Sequence, residues 1–206
     1  MREYIILADG EFPKGNRPLE KLTNSDNIIC CDGAAEKLTE AGISPAAIVG
    51  DIDSLSQQYQ QKYRDIIFRS DCQQTNDLTK AVNYTLKLNP SKIIILGATG
   101  LREDHTLGNI SLLYDYSLIS DVPVEMWTNS GVLTPLCKGR VINASKGTQV
   151  SVFSLDTNLR IKSQGLKYPL DDVIFDSWWK ATLNECTGDN FELIFEKGRV
   201  IVYTAY

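Results

Sequence analysis

The sequence predicts an α/β N-terminal domain with a mainly parallel, Rossmann-like sheet, followed by an all-β sandwich domain. Three observations predict it. Up to Asn129, short apolar runs alternate with segments of helical spacing, the pattern of βαβ units and a parallel sheet. Aspartates and glycines stand where those runs end. Beyond Asn129 the runs alternate with period two, and Gly139, Gly147, Gly188 and Gly198 punctuate them. The domains are placed at residues 1–130 and 131–206.

The elements follow in order. Tyr4–Ala8 and Asn27–Cys31 are apolar and strand-like, and GAAEKLTEAG after the second has helical spacing with a stop at Gly42. Ala46–Val49 and Ile66–Phe68 are short apolar runs. Thr75 and Asn76 offer an N-cap to a helix over Asp77–Leu88, whose Leu78, Ala81, Val82 and Leu86 share one face, and Pro90 ends it. Lys92–Leu96 is a near-continuous Ile run, the mark of a strand buried on both faces. A Gly-bearing loop, a helix over Asp104–Ile119 and a strand over Val122–Trp127 complete the first domain. The second reads as strands Val132–Leu136, Arg140–Ala144, Thr148–Leu155, Leu159–Ser163, Phe191–Glu196 and Val200–Thr204. Glu196–Arg199 (EKGR) reads as a hairpin turn between the last two.

Composition narrows the function. The 206 residues are 43% hydrophobic and 23% charged, ordinary for a globular protein. A formal net charge of −5 argues against nucleic acid as a partner. No apolar stretch approaches the roughly 20 residues of a membrane span, and the N-terminal run reads as a first strand, not a signal peptide. Five cysteines without C-x-x-C spacing read as free thiols in a reducing cytoplasm. A single histidine, His105, excludes a multi-histidine metal site.

Five aspartates end apolar runs: Asp32 in IICCDGAA, Asp51 and Asp53 in AIVGDIDSL, Asp77 in QQTNDLTKAV and Asp104 in IIILGATGLREDHTLGN. In an open α/β sheet those ends line one edge, where ligands bind. Carboxylates gathered there repel one another unless a cation sits between them, and Mg²⁺ accompanying a nucleotide phosphate suits such a set. Asp51 and Asp53, two apart in an extended segment, project to one side; the alternative is a polar turn that caps a helix. The loop from Gly97 to Gly100, leading into a helix, is the layout of a phosphate-binding loop, although it is neither a Walker A nor a G-x-G-x-x-G sequence. Arg102 can hold phosphate oxygens bidentately. Asp104 and His105 either meet the nucleotide or cap the helix. Lys80 either reaches a phosphate or pairs with a carboxylate.

In this order and at these intervals, DGAA (32–35), GDIDS (50–54), TNDLTK (75–80) and GLREDH (100–105) resemble the thiamine pyrophosphokinase family, and SQGLKYPL (163–170) is similar to a segment of its β-rich half. The resemblance implies transfer of a pyrophosphoryl group from ATP to thiamine with Mg²⁺. It implies an α/β nucleotide- and Mg²⁺-binding catalytic domain, a β-sandwich thiamine-binding and dimerisation domain, and a homodimer with sites at the subunit interface. Carried over by motif, Asp51, Asp53 and Asp77 match the metal and phosphate carboxylates, and Arg102 joins them in catalysis. Asp32, Gln73, Gly100, Arg102, Asp104 and His105 match nucleotide-site positions. Tyr168, in the place of a tryptophan, with Thr182 and Asn184, matches the thiamine side; Leu183 replaces a serine. In the Gln73–Asp77 segment, Asn76 or Asp77 takes the acidic position, and Asp77 aligns Leu78-Thr79-Lys80. Two rivals are a diphosphokinase acting on a pterin hydroxymethyl acceptor and a non-catalytic nucleotide or thiamine sensor.

Overall fold

Six short runs, each four or five residues of Ile, Val, Cys, Leu and their neighbours or shorter, build the sheet that positions the site. The computed structural model describes residues 2–70, 72 and 74–206. Two units divide the chain, one running up to Asn129 and the other Ser130–Tyr206.

In the first unit the order is β1 (Glu3–Leu7), α1 (Asn16–Thr23), β2 (Ile28–Cys31), α2 (Ala34–Glu40), β3 (Ala47–Gly50), α3 (Gln57–Lys62), β4 (Ile67–Arg69), α4 (Asp77–Leu86), β5 (Lys92–Leu96), α5 (Glu103–Ile119) and β6 (Val124–Trp127). Its strands lie in the order β6-β5-β1-β2-β3-β4, and all their ladders are parallel. Burial on both faces explains the continuous apolar runs, with Ile5, Ile6, Ile28, Ile93, Ile94 and Ile95 all fully buried. One face packs Ile5, Leu7, Ile28, Cys30, Ile48 and Ile94 with Leu22 of α1 and Ala34, Ala35 and Leu38 of α2. The alternate strand residues point to the other face, where α4 meets β1, β2 and β3, and α5 meets β6. Each fully buried Ile contributes about 1.5–3 kcal/mol of transfer free energy, enough to fix which face each strand residue takes.

The strand order turns back between β1 and β5. The chain steps outward from β1 to β4, then crosses to the other side of β1. At that switch point the strand C-termini open a crevice, and ligands of open α/β sheets bind in such crevices. Backbone bonds hold its floor: Gly10 N–H to the Gly97 carbonyl at 2.7 Å and Glu11 N–H to the Thr99 carbonyl at 2.9 Å.

The second unit holds β7 (Gly131–Leu136), β8 (Arg140–Asn143), β9 (Gln149–Ser154), β10 (Lys162–Gln164), β11 (Asn184–Glu185), β12 (Asn190–Ile194) and β13 (Val200–Ala205), with a 3₁₀ turn at Trp178–Ala181. Two antiparallel sheets form, β11-β9-β13-β7 and β10-β12-β8. Val150, Val152, Val200 and Val202 of one meet Phe191 and Leu193 of the other in a shared core. The period-two alternation is that of strands with one face on a core. One expectation is corrected. β12 pairs with β8 and β10, while β13 pairs with β7 and β9, so EKGR is no hairpin turn but carries the chain from one sheet to the other. A turn motif reads locally; strand partners are chosen by the core.

Candidate active site

Asp32 follows β2 directly and has a left-handed backbone, φ +42°. That conformation is disfavoured for a residue with a Cβ, Asp and Asn tolerating it best. It leaves Asp32 4% exposed at the end of the sheet, with Oδ2 accepting the Ser54 N–H at 3.2 Å. Desolvation pushes its pKa up to about 6; the Ser54 N–H opposes the shift, and the neighbouring carboxylates Asp53 and Asp77 reinforce it.

Asp51 and Asp53 flank a second strained residue. Ile52 has φ +67°, outside the range a β-branched residue normally adopts, and its side chain is buried in the core. The segment is therefore not extended, as the spacing argument assumed. A kink anchored by Ile52 is what brings the flanking carboxylates to Asp32, and strain of this kind clusters at functional sites. One oxygen from each of Asp32, Asp51 and Asp53 lies within 4.8 Å of the others. Ser54 Oγ donates to Asp53 Oδ1 at 3.0 Å, the chief cause that holds the Asp53 carboxyl below its ordinary pKa. Gly50 allows the crowding: a Cβ there would meet Asp32 Cβ at 3.1 Å and Asp77 Oδ1 at 3.4 Å.

Asp77 opens α4. Asn76 is the N-cap, its Oδ1 accepting the Thr79 N–H at 2.9 Å, so Asp77 sits in the first helical turn. One turn on, the buried Lys80 donates to Asp77 Oδ1 at 2.9 Å and lies 3.8 Å from Asp51 Oδ2. Burial disfavours the ammonium, but the hydrogen bond and charge of Asp77 and the charge of Asp51 outweigh it and raise its pKa. Among the described residues, Asp32 Oδ1 and Asp51 Oδ1 are buried with no hydrogen-bond partner. Buried polar atoms are normally satisfied, so two orphaned carboxylate oxygens beside a third carboxylate fit a hard divalent cation such as Mg²⁺.

A cavity of about 350 Å³ opens beside these carboxylates, lined by Asp9, Asp32, Asp77, Arg102, His105 and Asn109 among others. Arg102 and His105 come from the start of α5. Asp104 grips the Arg102 guanidinium through two hydrogen bonds, Nε to Oδ1 at 3.1 Å and Nη2 to Oδ2 at 2.5 Å. Held by that guanidinium and by the His105 N–H, the Asp104 carboxyl falls to about 2. Asp104 does not line the cavity; it orients the residue that does. Gly100, at φ +88°, backs onto Glu11 and leaves the lining of its loop to Ala98, Thr99 and Leu101. Gln73 lies outside the described residues. Asp9, which sequence reasoning passed over, lines the cavity from the end of β1 and pairs with Lys37 at 2.8 Å. Its signal was present: LADG ends an apolar run with Asp-Gly, as CCDG does.

In the second unit, Tyr168 exposes its ring, at 59%. Asn184 is buried, accepts the Tyr168 N–H at 3.1 Å and donates to the Tyr168 carbonyl at 2.7 Å. It therefore holds the Tyr168 backbone from beneath. Thr182 turns its hydroxyl to the Trp179 carbonyl at 2.7 Å. Between them Leu183 has φ +57° and is 78% exposed.

Comparison with known proteins joins these features. A family model described as the catalytic domain of thiamin pyrophosphokinase matches residues 19–126, and one described as its substrate-binding domain matches residues 131–203. Among curated relatives, thiamine pyrophosphokinase of Bacillus subtilis is 38% identical over 121 residues, 55% of either chain. Thiamine pyrophosphokinase 1 of Oryza sativa is 30% identical over 116 residues, 44% of either chain. The matched stretch thus spans about half the length of these relatives. The crystal structure of the Bacillus subtilis protein superposes with a TM-score of 0.82 at 24% identity over 99% of both chains. The yeast enzyme gives 0.81 at 19%, covering 100% of this chain and 86% of that one. At such identities these structures attest the fold. The two family models, taken with the carboxylate cluster and its cavity, show that the chain belongs to the thiamin pyrophosphokinase family.

Proposed function

We propose that this protein transfers a pyrophosphoryl group from ATP to the hydroxyl of thiamine, giving thiamine diphosphate and AMP. The observation that carries the reading is the convergence of Asp32, Asp51 and Asp53, with two orphaned oxygens, beside a cavity lined by Arg102. Asp51, Asp53 and Asp77, the carboxylates that the motifs assign to the metal, would hold Mg²⁺ together with Asp32, one of whose oxygens lies within 4.8 Å of those of Asp51 and Asp53. When bound, the ion neutralises phosphate charge.

The chain's own groups do the rest. The thiamine hydroxyl oxygen bonds to the β-phosphorus, the bond from that phosphorus to the α–β bridging oxygen breaks, and AMP leaves with that oxygen. An aspartate of the cluster accepts the hydroxyl proton. Arg102, pre-oriented by Asp104, offsets charge on the transferred group, and its fixed direction avoids reorganisation during the reaction. His105, Thr106 and Asn109 wall the nucleotide side. On the acceptor side, Tyr168 presents an aromatic face to the thiamine cation, and such faces attract cations. The Lys167 ammonium already lies 5.8 Å from the centre of that ring. The match of residues 131–203 to a thiamin pyrophosphokinase substrate-binding domain favours thiamine over a pterin acceptor.

Family resemblance also supports a homodimer, which sedimentation of the purified chain tests. Among the described residues no helix is long and apolar enough to cross a membrane. Incubation with ATP, Mg²⁺ and equimolar thiamine and hydroxymethyl pterin tests the acceptor: thiamine diphosphate is expected as the product, and a pterin diphosphate alone refutes the assignment.

A further inference from the structure

We propose that Asp9 is a nucleotide-binding residue, whose carboxylate accepts the two vicinal ribose hydroxyls of the bound nucleoside triphosphate. The inference rests on the reading that the cavity takes ATP. Asp9 follows the end of β1, at the switch point of the sheet, and lines the cavity with Gly10, Asp32 and Arg102. Its position is fixed from both sides. Lys37 Nζ stands 2.8 Å from Asp9 Oδ1 and donates to the Asp9 and Gly10 carbonyls at 3.2 and 3.3 Å. Opposite, the Gly10 N–H donates to the Gly97 carbonyl at 2.7 Å, and a Cβ on Gly10 would collide with that oxygen, so only glycine lets the two loops close on each other. Lys37 itself does not line the cavity; its ammonium is spent on Asp9 and the two carbonyls.

Charge decides what Asp9 can take. A carboxylate repels phosphate, so the triphosphate belongs between the metal-binding carboxylates and Arg102, and Asp9 is left for an uncharged donor. A carboxylate offers about four acceptor sites, of which Lys37 occupies one. Oδ2 accepts nothing from the described residues and lies beside Gly33, where a Cβ would stand 3.2 Å from it. Two adjacent hydroxyls present two donors to such a pair of oxygens. The edge of adenine alternates donor and acceptor, and would leave an acceptor facing the carboxylate. Lys37 also offsets the Asp9 charge and so lessens its repulsion of the nearby phosphates. The pairing of Gly10 with Gly97 and of Glu11 with Thr99 sets Asp9 beside the loop that carries Leu101, which lines the cavity and is 59% exposed. That apolar side chain gives the base a surface next to the sugar.

Calorimetric titration tests this, with Mg²⁺ present and thiamine absent. The full-length chain is titrated with ATP and with 2′,3′-dideoxy-ATP. Wild type is expected to bind ATP about tenfold or more tighter than the dideoxy nucleotide, because hydrogen bonds to a charged group are among the stronger ones. Asp9→Ala is expected to bring that ratio to within about twofold of one. The ratio is the deciding quantity, since a change of charge near the phosphates, or a loosened loop, moves both affinities together. A merely structural role for Asp9 therefore leaves the ratio as in wild type and overturns the proposal. So does a wild type that binds the two nucleotides alike. Should Asp9→Ala fail to fold, Asp9→Asn, of the same shape, is read with the same two nucleotides: the ratio is expected to fall at least about threefold, and an unchanged ratio overturns the proposal. The titrations involve no transfer. ATP binding with an unaltered ratio overturns the proposal and leaves the thiamine reaction standing, whereas absence of ATP binding removes the reading on which both rest.

Discussion

Replacing Asp32 by Asn should stabilise the metal-free protein while removing one carboxylate of the proposed metal site. Asp32 is 4% exposed, and its pKa stands at about 6 rather than the ordinary 3.8, chiefly through desolvation. A raised carboxyl pKa means that the folded state binds its proton more tightly than the unfolded state. The group therefore costs no stability below the unfolded pKa, and the penalty grows as pH rises, reaching its full size above about 6. A difference of about two pKa units corresponds to roughly 3 kcal/mol at pH 8 and about half that at pH 5. Asn keeps the acceptor for the Ser54 N–H and carries no charge to desolvate. Urea unfolding in EDTA should accordingly show Asp32→Asn more stable by about 2–3 kcal/mol at pH 8, with the gain shrinking toward zero near pH 4. With Mg²⁺ present the order should narrow or reverse, because wild type gains more from binding. A variant that is less stable than wild type in EDTA at pH 8 would mean that burial does not penalise the Asp32 carboxylate.

The same linkage predicts that metal affinity falls on acidification through about pH 6, since binding must expel the Asp32 proton; Mn²⁺ titrations at pH 7.5 and 5.0 check this, and equal affinities contradict it. Asp104→Ala should leave unfolding within about 0.5 kcal/mol of wild type, because the Arg102 pair is exposed. It should nonetheless lower kcat/KM for ATP by about tenfold or more as Arg102 loses its orientation, a loss that steady-state kinetics measures. Asn184→Ala should cost about 1–3 kcal/mol by orphaning the Tyr168 backbone groups, and should raise KM for thiamine more than KM for ATP; denaturation and paired kinetics read both.

The apolar runs, the caps and the Gly stops made most of the α/β unit legible, because there sequence and burial share one period. What escaped was held by distant or weak signals. α1 contains Pro18, which reads as a breaker, and its start is fixed by Asn129 Oδ1 accepting the Lys14 and Gly15 N–H groups from 115 and 114 residues away. α3 is QQYQQK with no buried residue, so it carries no apolar periodicity to find. The strand expected at Leu159–Ser163 forms instead at Lys162–Gln164; Leu159 and Ile161 enter the core from the preceding loop, apolar without being paired. At the site, the spacing of Asp51 and Asp53 was readable, but the positive φ of Ile52 that aims them was not. Asn184 and Asp104 were legible as polar residues near a ligand. Their bonds to Tyr168 and Arg102 belong to the fold and could not be read from spacing.

Pyrophosphoryl transfer to thiamine is tested in one incubation: the purified chain with ATP, thiamine and Mg²⁺, products separated and quantified. Equimolar AMP and thiamine diphosphate are expected, both lost in Asp51→Asn with its fold intact. Release of ADP with thiamine monophosphate, or no AMP from folded wild-type protein, would rule out pyrophosphoryl transfer to thiamine.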